Sequence, residues 1–166
     1  MLNRRTMLML LSGSAVAPRM AFAASPKEIL WDDLVPPGLP YSEIIGEGEM
    51  DEANDVWNPI YDANATKLNT ELNGAYIKIP GFIIPFDVSA EGVTSFMLVP
   101  YVGACVHTPP PPANQLVMVN AAKPWPGDQL WDPVWVTGTM RTQLQSTDLG
   151  QTGYSIAADK MEVYVW

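Results

Sequence analysis

The run G-A-Y-I-K-I-P-G-F-I-I-P-F, Gly74–Phe86, limits the possible folds more than any other segment. It is rich in isoleucine and aromatic residues, the composition of a strand. Gly81 interrupts it at the centre, where a bend or bulge is expected. Four further strand-like runs come after it: Thr94–Val102, Gln115–Ala121, Pro133–Thr142 and Gly153–Trp166. In Pro133–Thr142, Val134, Val136, Gly138 and Met140 fall on one face and Trp135, Thr137, Thr139 and Arg141 on the other. Five strands with a glycine kink in the first predict a small all-β, OB-like five-stranded barrel. A two-sheet sandwich is the alternative.

The segment ahead of the barrel reads differently. W-D-D-L-V-P-P-G-L-P, Trp31–Pro40, carries three prolines and excludes a long helix, so an extended arm is expected to pack across the barrel through Trp31, Leu34 and Val35. Glu43–Asp62 holds seven acidic residues and no lysine or arginine, which predicts a solvated, partly disordered surface segment. It lacks the spacing of a calcium loop. Asn64–Leu72, with Leu68 and Leu72 on one side, predicts a short helix.

The N-terminus carries Arg4 and Arg5, a modest apolar run over Met7–Ala17, and Ala21-Phe22-Ala23 as a small-x-small cleavage site. This is the pattern of an export signal, expected to be of twin-arginine type, with an ordinary secretory signal as the alternative, and the apolar run is too short to span a bilayer. The expected organisation is a signal over 1–23, an arm and acidic segment over 24–73, and a barrel over 74–166. Periplasmic or secreted localisation is expected, with no stable membrane insertion after cleavage. Loss of Arg4, Arg5 and Arg19 with the signal takes the net charge from −9 to −12. So acidic a surface argues against nucleic acid, whose binding depends on phosphate neutralisation, and leaves cationic partners and metal ions open.

The chain has one cysteine and one histidine, Cys105 and His107, both in V-G-A-C-V-H-T-P-P-P-P-A-N-Q, Val102–Gln115. No internal disulfide is available. On extended backbone the two side chains share a face, and Pro109–Pro112 stiffens the next stretch of chain. Asn114 and Gln115 close the string with two side-chain amides able to cap backbone groups. Three readings stay open. Cys105 is a small buried hydrophobe and His107 a hydrogen-bonded structural residue. Alternatively, the pair ligates a zinc or copper ion, with further donors from Met97, Met118, Met140, Asp87 or Glu91. In the third, His107 activates a Cys105 thiol, with Asn114 orienting the imidazole, in a thiol-dependent enzyme. A single histidine excludes sites that need two.

The strings L-N-G-A-Y-I-K-I-P-G-F-I-I-P-F, F-M-L-V-P-Y-V-G-A-C-V-H-T-P-P-P-P-A-N-Q and P-V-W-V-T-G-T-M, together with the arm W-D-D-L-V-P-P, resemble a bacterial exported family designated domain of unknown function 3299. The resemblance spans Trp31 to about Trp166. Val106 and Thr108 are its slight departures, at positions where the family commonly has isoleucine and often valine. The family string falls on Gly103, Ala104, Cys105, His107, Pro109–Pro112, Asn114 and Gln115. The resemblance implies a periplasmic protein whose relatives often accompany ABC-type export systems, some of them linked to zinc or other metal homeostasis. It implies no established catalytic activity. The expectation is therefore an exported binding or accessory protein, metal-binding through Cys105 and His107, rather than an enzyme. A further alternative is a structural interaction module in which Trp125, Trp131 and Trp135 dock a transporter component.

Overall fold

The computed structural model describes residues 25–52, 56–102, 110–147 and 150–165. Five strands close the barrel: β4 (Tyr76–Pro85), β5 (Val93–Val99), β6 (Val117–Trp125), β7 (Val134–Thr147) and β8 (Gly150–Val163). The order around it is β4-β5-β6-β8-β7, with β7 pairing back onto β4. Every barrel pairing is antiparallel except β6 with β8. This is the OB-like architecture expected, not the sandwich.

Closure depends on β4 belonging to two ladders. Tyr76–Gly81 pairs with Val134–Thr139 of β7, and Phe82–Pro85 pairs with Phe96–Val99 of β5. The changeover falls at Gly81. A Cβ there would lie 2.8 Å from both Leu98 Cγ and the Val99 carbonyl oxygen, so only glycine lets the two strands approach. Gly138 serves the same purpose at the β7–β8 bulge, where a Cβ would meet the Ala157 carbonyl oxygen at 2.2 Å.

Alternation fills the interior. Ile77, Ile79 and Ile83 of β4, Phe96 and Leu98 of β5, Val117 and Val119 of β6, Val134, Val136 and Met140 of β7, and Tyr154 and Ile156 of β8 form one buried cluster. Full burial of each large aliphatic side chain contributes about 1.5–3 kcal/mol. A second, smaller cluster lies on the outer side of β4 and β5: Met97, Val99 and Leu116, with Phe82, Ile84 and Phe86 against them.

The arm packs as expected. β1 (Lys27–Glu28) adds in parallel to Ile77–Lys78, and a 3-10 turn comes next over Trp31–Leu34. Leu34 is fully buried, Val35 nearly so, and Trp31 is partly buried with Nε1 donating to the Pro80 carbonyl at 2.8 Å. Ile29, Leu34 and Leu72 belong to the barrel core, so residues 25–73 and the barrel share one interior.

Two local expectations change. The acidic segment lies at the surface as expected, none of its described residues buried, but it carries regular pairing: β2 (Glu49–Asp51) and β3 (Val56–Asn58) pair antiparallel, and an Ile44–Tyr61 bridge extends the ribbon. In place of one helix over Asn64–Leu72 there are two 3-10 turns, Ala63–Thr66 and Thr70–Leu72. Asp62 accepts from the Asn64 amide and Asn69 Oδ1 from the Glu71 amide, so each of these two side chains starts a new turn and neither turn continues. Among the described residues no helix is long and apolar enough to cross a membrane.

One buried hydroxyl ties these parts together. Tyr154, fully buried in β8, donates to the Leu34 carbonyl at 2.5 Å and accepts from the Asn69 amide at 2.6 Å. Burial pushes its pKa up to about 12, against a smaller lowering by the Asn69 N–H.

Candidate functional site

The string that carries the cysteine and histidine connects β5 to β6. Cys105, His107 and Pro109 lie outside the described residues; both flanks of the string are described. The flanks converge on one place. Pro100 and Tyr101 on one side, and Pro111, Pro112 and Gln115 on the other, line a cleft of about 670 Å³. Trp31 and Asp32 of the arm form one further wall, and Tyr41 and Ser42 with Glu43, Ile44 and Tyr61 of the acidic segment another. A volume of this size is typical of small-molecule sites.

Hydrogen bonds hold the walls in place. Pro112 leads into a 3-10 turn over Ala113–Gln115, all three residues buried. Asn114 Nδ2 donates to the Asn64 carbonyl at 2.9 Å and the Lys67 carbonyl at 3.2 Å. Gln115 Nε2 donates to the Trp31 and Asn114 carbonyls, each at 3.1 Å. The N-Q pair therefore fastens the end of the string to the arm and to the 3-10 turns. The Tyr61 hydroxyl donates to the Pro110 carbonyl at 3.0 Å. Pro110–Pro112 thus stands as a ridge, with a second cleft of about 340 Å³ beyond it, lined by Pro59, Asp62, Ala65, Thr66 and Gln151 among others. In the larger cleft the Tyr41 hydroxyl donates to the Asp32 carboxylate. Burial, and then this bond and the charges of Asp32 and Asp33, push the Tyr41 pKa up to about 12.

The remaining candidate residues are distributed unevenly. Met97 and Met118 are register partners across β5 and β6; Met97 is fully buried in the outer cluster and Met118 partly buried. Met140 is not brought to them. It faces the barrel interior, on the other side of the sheet wall. Asp87 and Glu91 are exposed in the β4–β5 turn. Among the described residues no three of His, Cys, Asp and Glu gather as a metal would require. Asn114 has both amide hydrogens committed to carbonyls, which leaves its buried Oδ1 without a partner among the described residues. The three tryptophans do not form one docking face. Trp125 is buried in the core with Nε1 on the Gln129 carbonyl, and Trp135 packs edge-on against Tyr164 beneath Lys78; only Trp131 stands out, 84% exposed. Nothing in the sequence groups Trp31, Tyr41, Tyr61 and Tyr101. They come from segments up to seventy positions apart, and only the W-D-D and P-Y-V-G strings hint at two of them.

A comparison with curated proteins gives no match. The chain is similar to a crystal structure of a DUF3299 family protein from Pseudomonas aeruginosa PAO1, at 33% identity and a TM-score of 0.70, covering 86% of this chain and 99% of that one. The family model for proteins of unknown function DUF3299 matches residues 31–163. By that match and that likeness, the chain belongs to the DUF3299 family.

Proposed function

We propose that the protein is an exported, periplasmic binding or accessory protein that works beside an ABC-type export system, and that its ligand site is the cleft between the arm and the proline ridge. The observation that carries this reading is convergence. Both flanks of the family string, the arm tryptophan and the acidic ribbon all line one cleft, and the amides of Asn114 and Gln115 fasten it together. A rigid concave surface built from four distant segments, without a nucleophile–base pair among its described residues, suits binding more than catalysis. The paired arginines and small-x-small site at the N-terminus support export.

The test is a titration of the mature chain, monitored by amide NMR, against a panel of cationic, neutral and anionic small molecules and of metal salts. The expected result is a set of shifts confined to Trp31, Tyr41–Ile44, Tyr61, Tyr101 and Gln115, and lost in Tyr101→Ala. Shifts elsewhere, or none with any member of the panel, would overturn it.

A second reading, zinc or copper held by Cys105 and His107, is favoured by Met97 and Met118 lying side by side where the β5 and β6 strands meet the string. Thiolate, imidazole and thioether together form a soft donor set suited to those ions.

A further inference from the structure

We infer that the cleft takes an organic cation: an ammonium or guanidinium head on an apolar body. This rests on the binding reading above and names the class of ligand. Four of the side chains lining the cleft already have their donors occupied. Trp31 Nε1 donates to the Pro80 carbonyl, the Tyr61 hydroxyl to the Pro110 carbonyl, the Tyr41 hydroxyl to Asp32, and Gln115 Nε2 to two carbonyls. The polar edges of these side chains are therefore engaged inside the protein. What the aromatic ones offer the cleft is ring surface.

The acceptors are on the other side of the balance. Asp32 and Glu43 line the cleft, and no described residue lining it is basic. Ser42, also in the lining, holds a buried hydroxyl without a partner among the described residues; it can accept or donate, so the two carboxylates decide the sign of the site. An anion entering here meets two carboxylates and finds these side-chain donors engaged. A cation meets the carboxylates and a lining that contains the aromatic rings of Trp31, Tyr41, Tyr61 and Tyr101, the composition that recognises ammonium groups. The same attraction already operates elsewhere on the surface, where Lys78 Nζ sits 4.4 Å from the centre of the Trp135 ring. The net charge of −9 extends the bias beyond the cleft and steers cations toward it.

The test compares choline with 3,3-dimethyl-1-butanol, which replaces the charged nitrogen by carbon at nearly equal shape, and with 3,3-dimethylbutyrate as the anion. Binding to the mature chain is read by calorimetry and tryptophan fluorescence at low ionic strength. Choline is expected to bind at least tenfold more tightly than the neutral isostere and to weaken with added salt. Asp32→Asn and Tyr101→Ala should each lower its affinity about tenfold. Both positions are surface-accessible, so an unchanged melting temperature will show that each variant is folded. Equal binding of choline and the isostere, or tighter binding of the anion, overturns the cation assignment and leaves the cleft reading standing. If no probe of any charge binds the cleft, the binding reading itself fails. Binding of a Gly-Arg-Gly peptide without choline supports the cationic chemistry and assigns the head group to a protein side chain.

Discussion

Tyr154→Phe removes one oxygen atom and tests how the arm is held to the barrel. The wild-type hydroxyl satisfies the Leu34 carbonyl and the Asn69 amide at the same time. Leu34 is fully buried and Asn69 is 8% exposed, so water does not readily replace the lost partner. A buried polar group left unsatisfied costs about 1–3 kcal/mol; with each of the two in the lower part of that range, about 1–2 kcal/mol, because Asn69 keeps some exposure, the predicted loss is about 2–4 kcal/mol. In urea, with a slope of roughly 2 kcal/mol/M, the midpoint should fall by about 1–2 M. At roughly 3 °C per kcal/mol for a chain of this size, the melting temperature should fall by about 6–12 °C. The pH profile adds a signature that a mere packing defect would lack. The folded state holds the Tyr154 proton up to about pH 12, while the unfolded chain releases it near the ordinary tyrosine value of 10.0. The stability this contributes is full below pH 10 and falls as pH rises from about 10 to 12, by as much as roughly 3 kcal/mol. Tyr154→Phe should lack that portion of the alkaline slope. Tyr41→Phe is the control, because Tyr41 has a similarly raised pKa in a far more exposed position. A Tyr154→Phe protein within about 0.5 kcal/mol of wild type (roughly the scatter of surface substitutions), with an unchanged alkaline slope, would refute the reasoning.

Gly81→Ala places a methyl group 2.8 Å from the Val99 carbonyl oxygen and should cost about 2–3 kcal/mol by urea denaturation, although the glycine needs no unusual backbone angle. Asn114→Ala removes two hydrogen bonds to the 3-10 turns and should lower stability by about 2 kcal/mol, with faster proteolysis between residues 60 and 75 as the local readout. For the metal reading, zinc or copper should co-purify with the protein from the periplasm and be absent from Cys105→Ser; equal metal in both would remove Cys105 as a ligand. Replacing Arg4 and Arg5 by lysine should hold the precursor in the cytoplasm, as fractionation and blotting would show.

Alternation is clear in Pro133–Thr142, whose Val134, Val136 and Met140 face the core, whereas β5 reads as a continuous apolar run because both its faces are covered, Phe96 and Leu98 by the core and Met97 and Val99 by the outer cluster. Gly81 is legible for a related reason: a glycine within an isoleucine-rich strand has few explanations other than close backbone approach. The features that stay hidden depend on partners distant in sequence. Nothing about T-G-Y-S shows that the Tyr154 hydroxyl lies against Leu34, 120 residues away. The acidic segment reads as solvated by composition and is so, but nothing in that composition shows that Met50 pairs with Trp57 or that Tyr61, with Tyr41 just ahead of the segment, makes a wall of the cleft. Trp125 comes after the exposed stretch Ala122–Pro124, so alternation gives no cue that it turns inward. The amides of the N-Q pair suit the capping of backbone groups, and Asn114 and Gln115 do that; which carbonyls they reach is a matter of tertiary contact.

The strand order has a consequence for the time course of folding. β8 comes after the other four barrel strands in sequence but inserts between β6 and β7. While β8 is unmade, β6 and β7 each present an open row of amides and carbonyls, the template on which chains pair with one another. Closure also needs β4 to meet β7 across the intervening hairpin and string, with Ile77 opposite Gly138. Such long loops must close before their contacts stabilise anything, which makes folding slow. Until β8 is in place the chain therefore has two unpaired edges, β6 and β7, at which it is exposed to pairing with other chains.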